Sequence, residues 1–412
     1  MSDQRIIYLD NAATTRPYPR VCAVMADAME RTFGNPSSIH GVGRQAKRLM
    51  EESRETLAEL IGAHPDEMYF TSGGTESNNL AITGSCLAFE RMEGKGSVIT
   101  SALEHPSVTK TVRNLRRDGW RTEHLDAVKG DLDLDTLGRL LSERDDVALV
   151  TVMSVQSELG YRFPIKEVAA LCHEHAMARR GTDPDAASAS YPLVHTDAVQ
   201  AFGKLDVQVD DLGVDLMSFC SHKIGGPKGI GALYVRRGTT LFTTAAGGGQ
   251  ESGLRSGTQA VPLIVGFAEA ARITCADREA SFKRVSALKR MILEGLAERF
   301  DGLCVNARDD GSPYIVSFSI PGTSNSQVIR MLDEQGICIS ASTACSTSRA
   351  DVPEGTWRVK HPLTLRLAGF PVTHWRYTYR VSLCRDTTED EVRTFLDAFT
   401  VAAEKSLGKR AG

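Results

Sequence analysis

Short apolar runs punctuate the chain from Tyr69 onward, and the polar stretches between them carry the three-to-four-residue spacing of helices. Tyr69 to Thr71, Val98 to Thr100, Val147 to Val155, Leu193 to Thr196, Leu216 to Phe219 and Ile230 to Val235 predict strands. A helix is predicted from the Gly73-Gly74 turn through Phe89, and another around Val168 to Met177. Such alternation predicts an α/β fold in which a mostly parallel sheet is covered by helices and functional groups gather at the carboxyl ends of the strands. Ahead of it lie a short strand, Ile6 to Leu9, a helix after Pro17 and Pro19 through Met29, and a second helix from Arg44 to Leu60. Gly34 to Gly41 is too rich in breakers for either element and predicts a shaped loop. After Pro262 a long helical region runs to about Phe300. Strands Tyr314 to Ile320, Ile337 to Ser340 and Tyr379 to Leu383, with helices at Ser326 to Gln335 and from Glu389, then predict a smaller α+β domain. Arg179 to Pro192, rich in Gly, Asp, Ala, Ser and Pro, predicts a surface excursion.

Composition narrows the class without changing that picture. A chain of 412 residues with 42% hydrophobic content can bury a large core and a second domain. Charges fall within the first ten residues, and no uncharged apolar run reaches membrane-spanning length, so a cytoplasmic protein without a membrane partner is expected. Lys plus Arg at 48 against Asp plus Glu at 52 gives no support for direct nucleic-acid binding. The nine cysteines are odd in number and form no CxxC pair, so most are expected to be small buried hydrophobes. Cys172, His173 and His175 do not predict a metal site, because i and i+2 on a helix point apart.

Candidate chemistry clusters at the predicted strand ends. Lys223, in Ser218 to Gly229, sits at a polar strand exit where an amine can form a Schiff base with a carbonyl cofactor. Gly73-Gly74-Thr75 can converge N–H groups and a hydroxyl on a phosphate at a helix start, although a capped glycine turn reads the same way. The pattern is neither a P-loop nor a dinucleotide fingerprint. Asp197 could hold a pyridine nitrogen protonated or simply cap the turn that follows, and Gln200 lies one helical turn onward. His105 could stack on a flat ring and relay protons, or be a solvent-facing turn histidine. Cys345 differs from the other cysteines in having small polar neighbours beyond a strand, which suits a nucleophilic thiol as well as an inert one.

In this order the pieces resemble the cysteine desulfurases, fold-type I pyridoxal phosphate enzymes of the class V aminotransferase superfamily. The resemblance rests on Tyr8 to Thr15, Gly34 to Ser38, Thr71 to Asn78, Glu104-His105, Asp197 to Gln200, His222-Lys223, Arg255 to Thr258, Ala344-Cys345 and Arg380 to Leu383. The Ser/Thr-Ala-Cys context is similar to the NifS/IscS-like group. The resemblance implies a large pyridoxal phosphate-binding α/β domain over 16–260, and a small α+β domain made of 1–15 and 261–412 that carries the cysteine loop. It implies that Lys223 is the Schiff-base lysine and then the base at the substrate Cα, that His105 stacks on the cofactor, and that Asp197 and Gln200 meet the pyridine nitrogen and phenolic oxygen. Gly74, Thr75, Cys220 and His222 would surround the phosphate, with Thr258 reaching it across a homodimer interface. Asn11, Asn35 and Arg380 would bind the substrate, Arg380 through a planar fork suited to a carboxylate. Cys345 would take sulfur from L-cysteine as a persulfide, leave L-alanine, and pass the sulfur to an acceptor protein, as in iron-sulfur cluster assembly or tRNA thiolation.

Three departures from the family pattern stand out. Gln156, in Gln156 to Gly160, replaces an asparagine with an amide one methylene longer. Cys220 stands where a phosphate-binding serine is expected, and a thiol is a poorer donor, with Ser221 a substitute only if the loop turns differently. The run Asp351 to Pro371 looks longer and more structured than the usual loop. Alternatives are a selenocysteine lyase, an aminotransferase on the same scaffold, and a sulfur-relay scaffold that has lost catalysis.

Overall fold

The computed structural model describes residues 6–182, 191–243, 245–341 and 363–408. Cys345, residues 183–190 of the predicted excursion and most of the Asp351 to Pro371 run lie outside them.

A seven-stranded sheet forms the centre, in the order Met68–Thr71, Gly231–Val235, Leu216–Cys220, Leu193–Asp197, Val147–Thr151, Ser97–Ser101 and Arg121–Leu125. Only Gly231–Val235 runs antiparallel to its neighbours. Its five inner strands are buried at every position, as expected of strands covered on both faces. Side chains alternate across them. Val98, Leu149, Leu193, Leu216 and Leu233 pack with Ile82, Phe89 and Val112 from the helices Gly74–Glu93 and Pro106–Arg117. Their successors Ile99, Val150, Val194 and Met217, with Ala232, face the opposite core beside Val168, Ile264 and Phe267. Each such aliphatic side chain contributes about 1.5–3 kcal/mol when fully buried, so a one-residue slip of any strand would expose a whole row.

The second core lies in the C-terminal part. Strands Cys304–Val305, Ile315–Ser319 and Thr378–Ser382 form an antiparallel sheet. Phe318, Tyr379, Phe395 and Phe399 pack on it, with Tyr379 and Phe399 edge to face at 5.0 Å. Ile7–Tyr8 pairs with Ile337–Cys338, and the chain then crosses to the large sheet, where the Thr15 amide donates to the His222 carbonyl at 2.8 Å. This N-terminal arm therefore bridges the second core and the lysine-bearing loop.

Where the structure departs from the sequence reading, the causes are local. Arg121–Leu125 carries one apolar residue in five and pairs only along one edge, so no apolar run marked it. The region after Pro262 is two helices, Val261–Cys275 and Arg278–Ala297, broken at Asp277, whose carboxylate accepts from Arg385 at 2.7 Å. Within the Asp351 to Pro371 run and just beyond it, Leu363–Leu367 and Val372–Trp375 are short helices. Leu365 and Ala368 sink into the large core, and Thr364 donates to Glu158 at 2.7 Å.

A buried ion pair fixes the segment leading to Thr258. Glu251 holds Arg54 through two bonds at 2.8 and 2.9 Å, and also accepts from the Phe70 amide at 2.8 Å. Glu251 and Ser252 sit in the left-handed region at φ 48° and 54°, a conformation that persists only where surrounding contacts over-determine it. The same carboxylate thus ties the end of one sheet strand to residues 251–259.

Candidate active site

The strands Leu216–Cys220 and Leu193–Asp197 are adjacent and parallel, so the turns leaving them open at the same end of the sheet. Lys223 ends a single 3-10 turn, Ser221–Lys223, and its amine donates to the carbonyls of Ala12 and Ala13, the latter at 2.8 Å. His105 caps the helix Pro106–Arg117, its Nδ1 accepting from the Ser107 amide at 3.1 Å. It does not stand free in solvent. Burial lowers its imidazole below the ordinary value, Lys223 and Lys110 act in the same direction, and Asp197 opposes them. His105 therefore feels the charges of both Asp197 and Lys223.

Asp197 is buried, and its two oxygens accept from Asn78 at 2.7 Å and from the Val199 amide at 3.0 Å. The carboxylate caps its turn, one of the two uses its position suggested, and no lysine or arginine pairs with it among the described residues. Asn78, on the helix Gly74–Glu93, escaped sequence reasoning because a polar residue in a helix gives no signal of the strand end it faces.

Gly73 and Gly74 form a close-fitting loop at the start of that helix. Gly73 lies at φ 153° with open space where a side chain would stand, and no side chain caps the helix. A Cβ at Gly74 would sit 2.6 Å from a Val199 methyl. Thr75 is exposed in the first turn. His222 Nδ1 lies 3.2 Å from the Thr14 hydroxyl, and burial, with Lys223, Lys228 and Lys204, pushes its pKa down to about 4, so the ring is neutral at pH 7. Cys220 is buried, and its pKa is pushed up to about 11 by burial while Lys223 pulls it down, so the thiol keeps its proton. The Ser221 hydroxyl is buried and faces Gly226, where a Cβ would lie 2.0 Å away, and it has no hydrogen-bond partner among the described residues.

These features fit pyridoxal phosphate: an uncapped helix start beside a glycine loop for a dianion, an amine for an aldehyde, and a buried carboxylate awaiting a cation. Gln200 adds an amide, donating to the Ala12 carbonyl at 2.9 Å. The Gln156 oxygen accepts from the Glu158 and Leu159 amides, both at 2.7 Å, which fixes the side-chain amide while leaving its N–H groups as the donors it could offer.

The substrate candidates separate into two places. Arg380 is buried, donating to Asp10 at 2.8 Å and to the Ser157 carbonyl at 3.1 Å, with no partner for its Nε among the described residues. Asp10 is the partner that sequence reasoning missed. Its neighbour Asn11 spends its amide N–H groups on the carbonyls of Tyr8 at 3.1 Å and Ser382 at 2.9 Å. Asn35 is elsewhere: it shares with Thr258 a cavity of about 340 Å³ whose lining includes neither Lys223 nor Arg380. Among the described residues no cluster could hold a metal ion, and no helix is long and apolar enough to cross a membrane.

Glu104 supports the site from below. It is buried, its Oε1 accepts from Ser101 at 2.6 Å and the Met153 amide at 2.8 Å, and burial raises its pKa to about 8 despite those bonds, with Asp197 adding to the rise. Between the ordinary carboxyl range and that value the native state holds a proton the unfolded chain has lost, so stability declines as pH rises through that window. Urea unfolding at pH 5 and pH 8 should show a loss on the order of a few kcal/mol from this group, and Glu104→Gln should remove most of it. An unchanged loss in the variant would count against the assignment.

A mostly parallel sheet with an amine, a carboxylate and an imidazole at its strand ends defines the class. Residues 7–395 match the family model described as aminotransferase class-V, and the chain belongs to that family. Within it the chain is a member of the NifS/IscS-like cysteine desulfurase group, of pyridoxal phosphate fold-type I. It is 37% identical over 400 residues to a NifS/IcsS protein homolog of Lactobacillus delbrueckii subsp. bulgaricus, covering 96% of each chain. Identity to the cysteine desulfurase IscS of Dictyoglomus turgidum is 35% over 382 residues, 92% of each. A solved NifS-like protein superposes with a TM-score of 0.84 at 32% identity, over 96% of this chain and 99% of the other.

Proposed function

We propose that the protein converts L-cysteine to L-alanine and takes the sulfur onto Cys345 as a persulfide for delivery to an acceptor protein. The observation that carries this reading is the convergence of Lys223, His105 and Asp197 beyond the carboxyl ends of parallel strands of one sheet, with His105 close enough to feel the charge of both others. The kinship with a named cysteine desulfurase supplies the substrate. Pyridoxal phosphate, when bound, supplies an electron sink for charge developing at the substrate Cα.

The chain's own groups do the rest. Lys223 takes the Cα proton on Nζ and later returns one, His105 would stack on the cofactor, and the Asp197 carboxylate, held by Asn78 and the Val199 amide, would meet the pyridine nitrogen. Arg380 offers its fork to the substrate carboxylate, sharing it with Asp10. Cys345 follows Ser340 by five residues, and the Ser340 backbone pairs with that of Arg380. The Cys345 thiolate attacks the substrate sulfur, an S–S bond forms as the C–S bond breaks, and the electron pair left on Cβ takes a proton to give the methyl of alanine.

Thr258 and Asn35 fit a homodimer in which each subunit completes its partner's site. Both are exposed and share their cavity with Phe33; Phe33 and, nearby in sequence, Ile39 are 74% and 90% exposed, and such apolar surface favours burial against a second copy. The test of the whole reading is incubation of the cofactor-loaded protein with L-cysteine. Alanine should appear, accompanied by protein-bound sulfane sulfur, and its absence would overturn the proposal.

A further inference from the structure

Lys204 is the feature the reaction leaves unexplained. It follows Gln200 by four residues in the turns after Asp197, where the Phe202 and Leu205 amides donate to the Ala198 and Ala201 carbonyls and the chain reverses through Gly203 at φ 74°. Its ammonium is buried, with only 5% of the residue exposed, and has no carboxylate partner among the described residues. It donates to Gln200 Oε1 at 3.0 Å and lies 5.7 Å from the centre of the Tyr314 ring. A lysine buried without an acid is costly, and nothing in the packing requires it.

The hydrogen bonds suggest what it does. An ammonium has donors and no acceptor, so Lys204 fixes the Gln200 amide with its oxygen inward and its N–H groups toward the Ala12 carbonyl, 2.9 Å away. The Lys223 amine donates to that same carbonyl. The two lysines also line one cavity of about 220 Å³, together with Asn11, Tyr314 and Cys384.

We propose that Lys204 is a positioning residue for Lys223, orienting Gln200 against the shared Ala12 carbonyl and, by like charge across the cavity, favouring the reactive neutral amine. The proposal rests on the reading of Lys223 as the cofactor-binding lysine. The charge of Lys223 is felt at Lys204: burial chiefly, with Lys223 and Arg380 adding and Cys220 and Cys384 opposing, brings the Lys204 pKa down to about 7.

The test replaces the charge and reads the amine. Lys204→Met removes both ammonium and hydrogen bond, Lys204→Gln keeps a hydrogen-bonding group without charge, and Lys204→Arg keeps charge; circular dichroism shows which variants fold. In full-length protein freed of cofactor, acetic anhydride labelling at Lys223, followed by mass spectrometry across pH, should inflect about one pH unit higher in the two neutral variants, a tenfold change in amine protonation. The arginine variant should stay near the parent. With pyridoxal phosphate added, the pH midpoint of the visible absorbance should move in the same direction. A folded neutral variant whose Lys223 inflects where the parent's does would overturn the proposal. If labelling shifts as expected but no absorbance forms in the parent protein, the positioning role stands and the proposed function falls.

Discussion

Lys223→Ala should lose at least about 10³-fold in alanine formation from L-cysteine, because one substitution removes both the attachment point for the cofactor and the group that moves the Cα proton. Borohydride should no longer fix pyridoxal phosphate to the chain. The fold should survive, since the lysine ends a short 3-10 turn and its amine donates to backbone carbonyls of the N-terminal arm, those of Ala12 and Ala13. Near-parental alanine production by a folded variant would remove Lys223 from the chemistry.

Cys345→Ser should separate the two halves of the reaction. Lys223 would still capture pyridoxal phosphate, whereas protein-bound persulfide should vanish and alanine formation should fall by about 10²-fold or more, because a hydroxyl is a far weaker nucleophile toward sulfur than a thiolate. Quantifying alanine, sulfane sulfur and cofactor absorbance on one sample checks all three. Persulfide found on another cysteine would reassign the sulfur acceptor within the chain. Among the described cysteines, Cys86, Cys172 and Cys220 are poor replacements, since burial raises the pKa of each thiol well above its ordinary value.

Much of this site could be read from sequence because each group follows a strand whose apolar run is unmistakable. Leu193 to Thr196 announces Asp197, and Leu216 to Phe219 announces the loop holding Lys223. Contacts made across the chain left no such mark. Asp10 meets Arg380 over 370 positions, and a polar turn near the N-terminus carries no sign of its distant partner. Lys204 was passed over for a different reason: a lysine four residues after a glutamine reads as solvated helix surface, and only packing reveals that it is buried. The Cys220 substitution was visible, but whether Ser221 could stand in depended on a turn direction that no local propensity fixes, and the hydroxyl points toward Gly226.

The contact between Gly74 and Val199 has a consequence for the geometry of both anchors. Val199 stands between Asp197 and Gln200, while Gly74 opens the helix proposed to receive the phosphate, so this contact acts as a gauge between the two ends of a flat ligand. At 74, one hydrogen atom against one methyl group sets that span. Alanine there would have to turn the Val199 methyl aside, so the fit between the two turns depends on the side chain that glycine lacks.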